Sequence, residues 1–228
     1  MSARSQRMSG GLLIAGAVIG LVGNALHPHT ADPEGAAVVR AIAASDTWVP
    51  IHLTIILAIL FIIGGLVGLA RRLDDGPGES LARVGLVAAA VGGAVTLISL
   101  ALDGFAMKAL ARSWAAAPDG EAATAMRLAV ALRDTGSGVW SIGMLVLFGT
   151  AFACFGLAVS VSGRFSGWLG WIAILGAGGA TVAALLRIAA TGDVQAAESI
   201  FLASSLLLTM WTLSMGILMW RRSADGGA

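Results

Sequence analysis

Six long apolar runs, at 10–26, 48–70, 81–102, 138–160, 165–188 and 199–220, divide the chain. Each approaches or exceeds the roughly 20 residues that carry a helix across a hydrocarbon core. Backbone amides and carbonyls find no water at that depth, so every run must close its hydrogen bonds within a helix. The interruptions are chemical. They are His27-Pro28-His29, Arg71-Arg72 followed by Asp74-Asp75-Gly76-Pro77-Gly78, Ser162-Gly163-Arg164, and Thr191-Gly192-Asp193. Glycine and proline turn the chain, and charge ends the run.

The one long connection, 103–137, is patterned as well. Met107, Leu110 and Trp114 recur at helical spacing opposite Lys108 and Arg112, which predicts an amphipathic helix lying on the membrane interface. Pro118-Asp119-Gly120 breaks it, and a second helix over 121–133 sets Met126, Ala129, Val130 and Leu132 against Arg127 and Arg133. A shorter helix is expected over 33–44. The pattern therefore predicts an all-α integral membrane protein: a six-transmembrane-helix bundle, one polytopic domain over 1–228, with short interfacial helices on the extracytoplasmic face.

Composition agrees. Of 228 residues 57% are hydrophobic and 12% charged, with a mean hydropathy of +0.88, too few charges to wet the surface of a soluble domain. Cys154 is the only cysteine, so no disulfide framework is available, and it lies in an apolar run as a packed thiol would. Lys108 is the only lysine and tyrosine is absent, a bias that resembles GC-rich bacterial coding. A net charge of +1 offers no basic field for nucleic acid, leaving the lipid bilayer as the first partner and a homo-oligomer or membrane-protein partner as open alternatives.

Charge also orients the bundle. Arg4, Arg7, Arg71, Arg72, Arg83, Arg164, Arg221 and Arg222 fall at one end, against Asp74, Asp75, Glu79 and Asp225. The positive-inside rule makes that end cytoplasmic, with both termini inside a plasma membrane. Trp168, Trp171 and Trp220 then belong to an inner aromatic belt, and Trp48 and Trp140 to an outer one. The first run has a basic flank and a small-residue site at Gly23-Asn24-Ala25 that signal peptidase accepts; retention of the run is the reading preferred here.

All three histidines lie at the outer end: His27 and His29 after the first run, His52 in the first turn of the second. Asn24, Asp32, Asp46, Asp103, Asp134, Arg187 and Glu198 fall at the same level, so each span brings a polar group to one depth. Ionisable groups in a bilayer face a bundle interior or a wet cavity, which predicts a polar pocket in the outer leaflet with Asn24, Asp46, Arg187 and Glu198 on its wall. Arg187 has Asp103 and Glu198 as candidate ion-pair partners. No carboxylate or lysine sits at mid-membrane, which disfavours a proton- or sodium-coupled pump.

Two prosthetic groups suit the histidines. Proline holds the residue before it extended, so His27 and His29 point the same way and can share a metal with His52 and Asp103. Three nitrogens and one oxygen make a tetrahedral zinc site, or an open Lewis-acid site if Asp103 stands behind a histidine and water takes its place. Alternatively His27 and His52 serve as axial ligands of a b-type haem, giving redox chemistry. Against both stands a structural reading, in which the histidines are interfacial, His-Pro is a helix stop and Pro50 sits in a first turn that tolerates it. The Trp48, Pro50, His52 start of the second run and the Asp103-Gly104 end of the third resemble bacterial multi-pass membrane proteins, a resemblance that implies a similar fold and no activity. Two functions remain: a small-molecule- or lipid-binding or accessory membrane subunit, and a metal- or haem-binding redox or hydrolytic protein.

Overall fold

A computed structural model describes residues 2–28, 36–189 and 194–225. About 90% of the described residues are helical, and among them there is no strand. The helices are α1 (Ala3–Leu26), α2 (Ala36–Ala44), α3 (Trp48–Leu73), α4 (Glu79–Ala101), α5 (Lys108–Ala115), α6 (Asp119–Gly143), α7 (Phe152–Val161), α8 (Gly167–Ile188) and α9 (Val194–Asp225). Two wider π-helical segments interrupt without breaking: π1 (Leu102–Met107) joins α4 to α5, and π2 (Met144–Ala151) joins α6 to α7. In π2 the Thr150 hydroxyl donates to the Leu145 carbonyl five residues back, at 3.1 Å, following the π register.

Six helices are long and apolar enough to cross a membrane: Ala3–Leu26, Trp48–Leu73, Glu79–Ala115, Gly120–Val161, Gly167–Ile188 and Gln195–Arg221. They form a ring in chain order. α1 packs on α3, α3 on α4, α4 on π2 and α7, α7 on α8, α8 on α9, and α9 closes back on α1. The bundle is apolar on both sides. Leu66, Leu69, Leu147, Phe155, Trp211 and Met215 fill the interior, while Val87, Leu175, Leu202 and Met210 are each more than 60% exposed on the outside. Such a surface suits lipid and not water, and the chain is a multi-pass membrane protein.

Small residues permit the close crossings. A Cβ on Gly10 would stand 2.7 Å from the Gly216 carbonyl oxygen, and one on Gly216 2.9 Å from that of Gly10, so α1 and α9 meet backbone to backbone. Most of the spans' hydroxyls turn back on their own helices, as Thr96 does to Gly92 and Thr212 to Leu208, leaving few polar atoms facing lipid. At the end holding the termini, the Arg164 guanidinium donates to the Arg72 and Asp74 carbonyls and closes the C-terminus of α3. Trp168, Trp171 and Trp220 are exposed there, and Arg7 lies over the Trp220 ring.

Four sequence readings change. The connection over 103–137 is helical apart from a short turn, because α4 runs through π1 into α5 and α6 runs through π2 into α7. At 1.5 Å per residue these continuous helices reach about 55 and 63 Å, against about 30 Å of hydrocarbon, so both project well beyond an apolar core. The apolar stripe of α5 faces protein: Met107, Leu110 and Trp114 pack with α2 residues Val39 and Ile42 and with Trp48. Lys108, expected on a wetted face, is 3% exposed; its ammonium donates to the Ile42, Ala43 and Ser45 carbonyls at 2.7, 2.9 and 2.7 Å. Trp48 likewise leaves the expected outer belt, being 5% exposed inside this cluster. Of the helix expected over 33–44, α2 supplies 36–44, and 33–35 lie outside the described residues.

The glycine contacts predict opposite outcomes for two alanine substitutions. Gly10→Ala should destabilise by about 1–3 kcal/mol, because the clash is with backbone. Gly120→Ala, with nothing within 4 Å of its Cβ, should be neutral or slightly stabilising. Thermal unfolding of both variants in one mild detergent checks the pair.

Candidate metal centre at the histidine end

The first turn of α3 begins the site. Trp48 and His52 are four residues apart and so share a helix face, and their rings lie 4.9 Å apart. His52 is wholly buried. Its Nδ1–H donates to the Trp48 carbonyl at 2.8 Å, which fixes the ring and turns Nε2 outward. Opposite Nε2, at 2.9 Å, stands Oδ2 of Asp103.

Asp103 is presented by π1. The local widening puts Asp103 and Gly104 against α3, and the close approach requires glycine: a Cβ on Gly104 would lie 2.6 Å from the Cβ of His52. Trp48 completes the joint by donating from Nε1 to the Asp103 carbonyl at 2.9 Å. The Asp103 side chain remains 47% exposed, so the site has an open side.

His27 arrives from the C-cap of α1, where its extended backbone ends the helix and its amide donates to the Asn24 carbonyl. Its ring lies 5.0 Å from that of His52 and 5.1 Å from that of Trp48. One ligand atom from each of His27, His52 and Asp103 lies within 4.8 Å of the others. Tetrahedral zinc bonds of about 2.0–2.2 Å set ligand atoms roughly 3.3–3.6 Å apart, so zinc would have to part the His52 and Asp103 atoms, which stand 2.9 Å from each other.

The hydrogen-bond roles define the chemistry. With Nδ1 donating to a carbonyl, Nε2 directs either a hydrogen or a lone pair at a carboxylate oxygen 2.9 Å away. Two lone pairs at that distance repel. A proton lies between them, and a metal bound to both atoms would have to replace it and sit to one side, since two bonds of about 2 Å do not fit in line across 2.9 Å. A backbone carbonyl on Nδ1 is also the usual partner of an imidazole that binds metal through Nε2, here the nitrogen that faces Asp103. Haem does not fit as placed: the two imidazoles touch edge to face, and no macrocycle fits between rings in contact.

The other expected residues separate. His29 and Asp32 lie outside the described residues. Asn24 is exposed and donates to the Gly20 carbonyl of its own helix. Asp46 is exposed and acts electrostatically on Lys108. Asp134 is exposed. Arg187 pairs with Glu198, Nη1 to Oε1 at 3.5 Å, and donates to the Ser137 hydroxyl at 2.8 Å, in a second cluster among α6, α8 and α9. Two surface depressions of about 440 and 470 Å³ lie elsewhere, one at Ser2, Ser5, Arg71, Asp74 and Asp75, the other along Val84, Val87 and Val91. Sequence reasoning missed Trp48 as a structural partner of both histidines, although its spacing from His52 was a signal. It also missed Ser137, which nothing in the sequence linked to Arg187.

Fold and site together define a helical multi-pass membrane protein with a histidine–carboxylate cluster at one end of its bundle. The chain belongs to the family described as Domain of unknown function (DUF4386), which matches residues 8–221. No curated protein and no solved structure matches it.

Lys108 ties the start of α5 to the end of α2, and Lys108→Met should remove three charge-assisted hydrogen bonds there. Local opening of 36–47 should become easier by about 2–3 kcal/mol while the spans stay protected. Hydrogen exchange read by mass spectrometry checks this segment by segment.

Proposed function

We propose that the protein binds a divalent transition metal, zinc by ligand type, through His27, His52 and Asp103. The carrying observation is the convergence of these three side chains, from α1, α3 and π1, on one point with the His52 tautomer already set. Two nitrogens and one oxygen suit zinc, and the fourth position then goes to water or to His29. With water there the metal is a Lewis acid of the hydrolytic kind, open to solvent past the exposed Asp103. With His29 there the site is closed, and its role is to clasp α1, α3 and π1 together in one polytopic domain. In this reading the arginine-rich end lies in the cytoplasm of a plasma-membrane protein and the metal faces the opposite side.

The alternative is an accessory or lipid-binding subunit in which the cluster is only a proton-sharing clasp. Cobalt(II) titration of protein carrying no histidine tag separates the two. Metal binding predicts one equivalent bound with visible tetrahedral ligand-field bands, lost in His52→Ala and in Asp103→Ala. His29→Ala should leave the spectrum of an open site unchanged and shift that of a closed one. Folded wild-type protein that takes up no stoichiometric cobalt or zinc would overturn the metal reading and leave the accessory role.

A further inference from the structure

We propose that Arg187 holds the anionic head of a membrane phospholipid at the junction of α6, α8 and α9, apart from the histidine cluster. Arg187 lies in the last turn of α8 with its side chain 14% exposed. A guanidinium offers five N–H donors, and here the protein meets them poorly. Nη2 donates to Ser137, Nη1 lies 3.5 Å from a Glu198 carboxylate that is 67% exposed, and Nε is buried with no acceptor among the described residues. An exposed ion pair of that length contributes little, and an unmet buried donor is costly, so the group is short of acceptor oxygens.

The surroundings supply room and a tail site. On α6, Ser137 stands between Gly136 and Gly138, and a Cβ on either glycine would meet nothing within 4 Å. One turn further along α6 and α9 come Trp140 and Phe201, edge to face at 5.6 Å, with Phe148 5.3 Å from Phe201. A charged fork at the end of the spans with an aromatic wall one turn deeper matches an amphiphile with an oxyanion head. A phosphate diester takes the fork in a bidentate manner, and its acyl chain lies along the wall. Phospholipid is the amphiphile always present at that depth. Free phosphate shares the head chemistry and lacks the tail.

The experiment uses the full chain in a neutral maltoside detergent, titrated with dioleoylphosphatidylglycerol or inorganic phosphate, and followed by native mass spectrometry and tryptophan fluorescence. One phosphatidylglycerol should bind. Arg187→Gln should weaken it about tenfold or more, and Glu198→Gln, which removes the competing carboxylate, should tighten it about two- to fivefold. Glu198 is exposed, so its variant keeps the test alive should Arg187→Gln fail to fold. Phosphatidylglycerol affinity unchanged in both variants overturns the proposal. Equal binding of inorganic phosphate with the same dependence on Arg187 overturns the lipid assignment in favour of a free oxyanion.

Discussion

The contact between His52 and Asp103 is the constraint around which one end of this bundle is built. An imidazole that is wholly buried must satisfy both nitrogens. The chain supplies a carbonyl from the same helix for one and a carboxylate from another span for the other. Bringing that carboxylate into reach takes a π-helical widening of the third span and a glycine directly after the aspartate. Trp48 then ties the two helices a second time through the Asp103 carbonyl. Polar burial in an apolar protein is costly, and the hydrogen bond between Nε2 and Oδ2 offsets part of that cost; this pair is also where the proposed metal would bind.

Cations perform a second task in the fold. Helix C-termini carry unpaired carbonyls, and in a chain with 12% charged residues few side chains can answer them. Lys108 answers three at the end of α2, and Arg164 answers two at the end of α3. Arg187 differs in being only partly answered, which makes it a candidate for a ligand.

The six spans were legible because apolar runs of bilayer length leave one solution, the helix. Their continuation was not. Thr135-Gly136-Ser137-Gly138 falls between the helix expected over 121–133 and the span beginning at 138, yet it is helical throughout, with the Ser99 hydroxyl of α4 donating to the Gly136 carbonyl. Asp103-Gly104 was visible as a pair, but its register against His52 depends on π1, which no local pattern announces. Lys108 read as a surface charge because sequence periodicity places it opposite an apolar stripe. Its burial follows from tertiary packing of α2, 63 to 66 residues earlier in the chain. Of the expected ring of polar groups, the histidine pair and Asp103 converge, whereas Arg187 and Glu198 pair with each other. Equal depth along separate helices does not determine which faces meet.

X-ray absorption at the zinc edge tests the central claim most directly, on protein purified without a histidine tag or chelator and loaded with one equivalent of zinc. The account predicts a low-coordinate centre with nitrogen and oxygen ligands at about 2.0–2.2 Å and the outer-shell scattering of at least two imidazoles. A spectrum of hydrated zinc, or of a single imidazole, would contradict it.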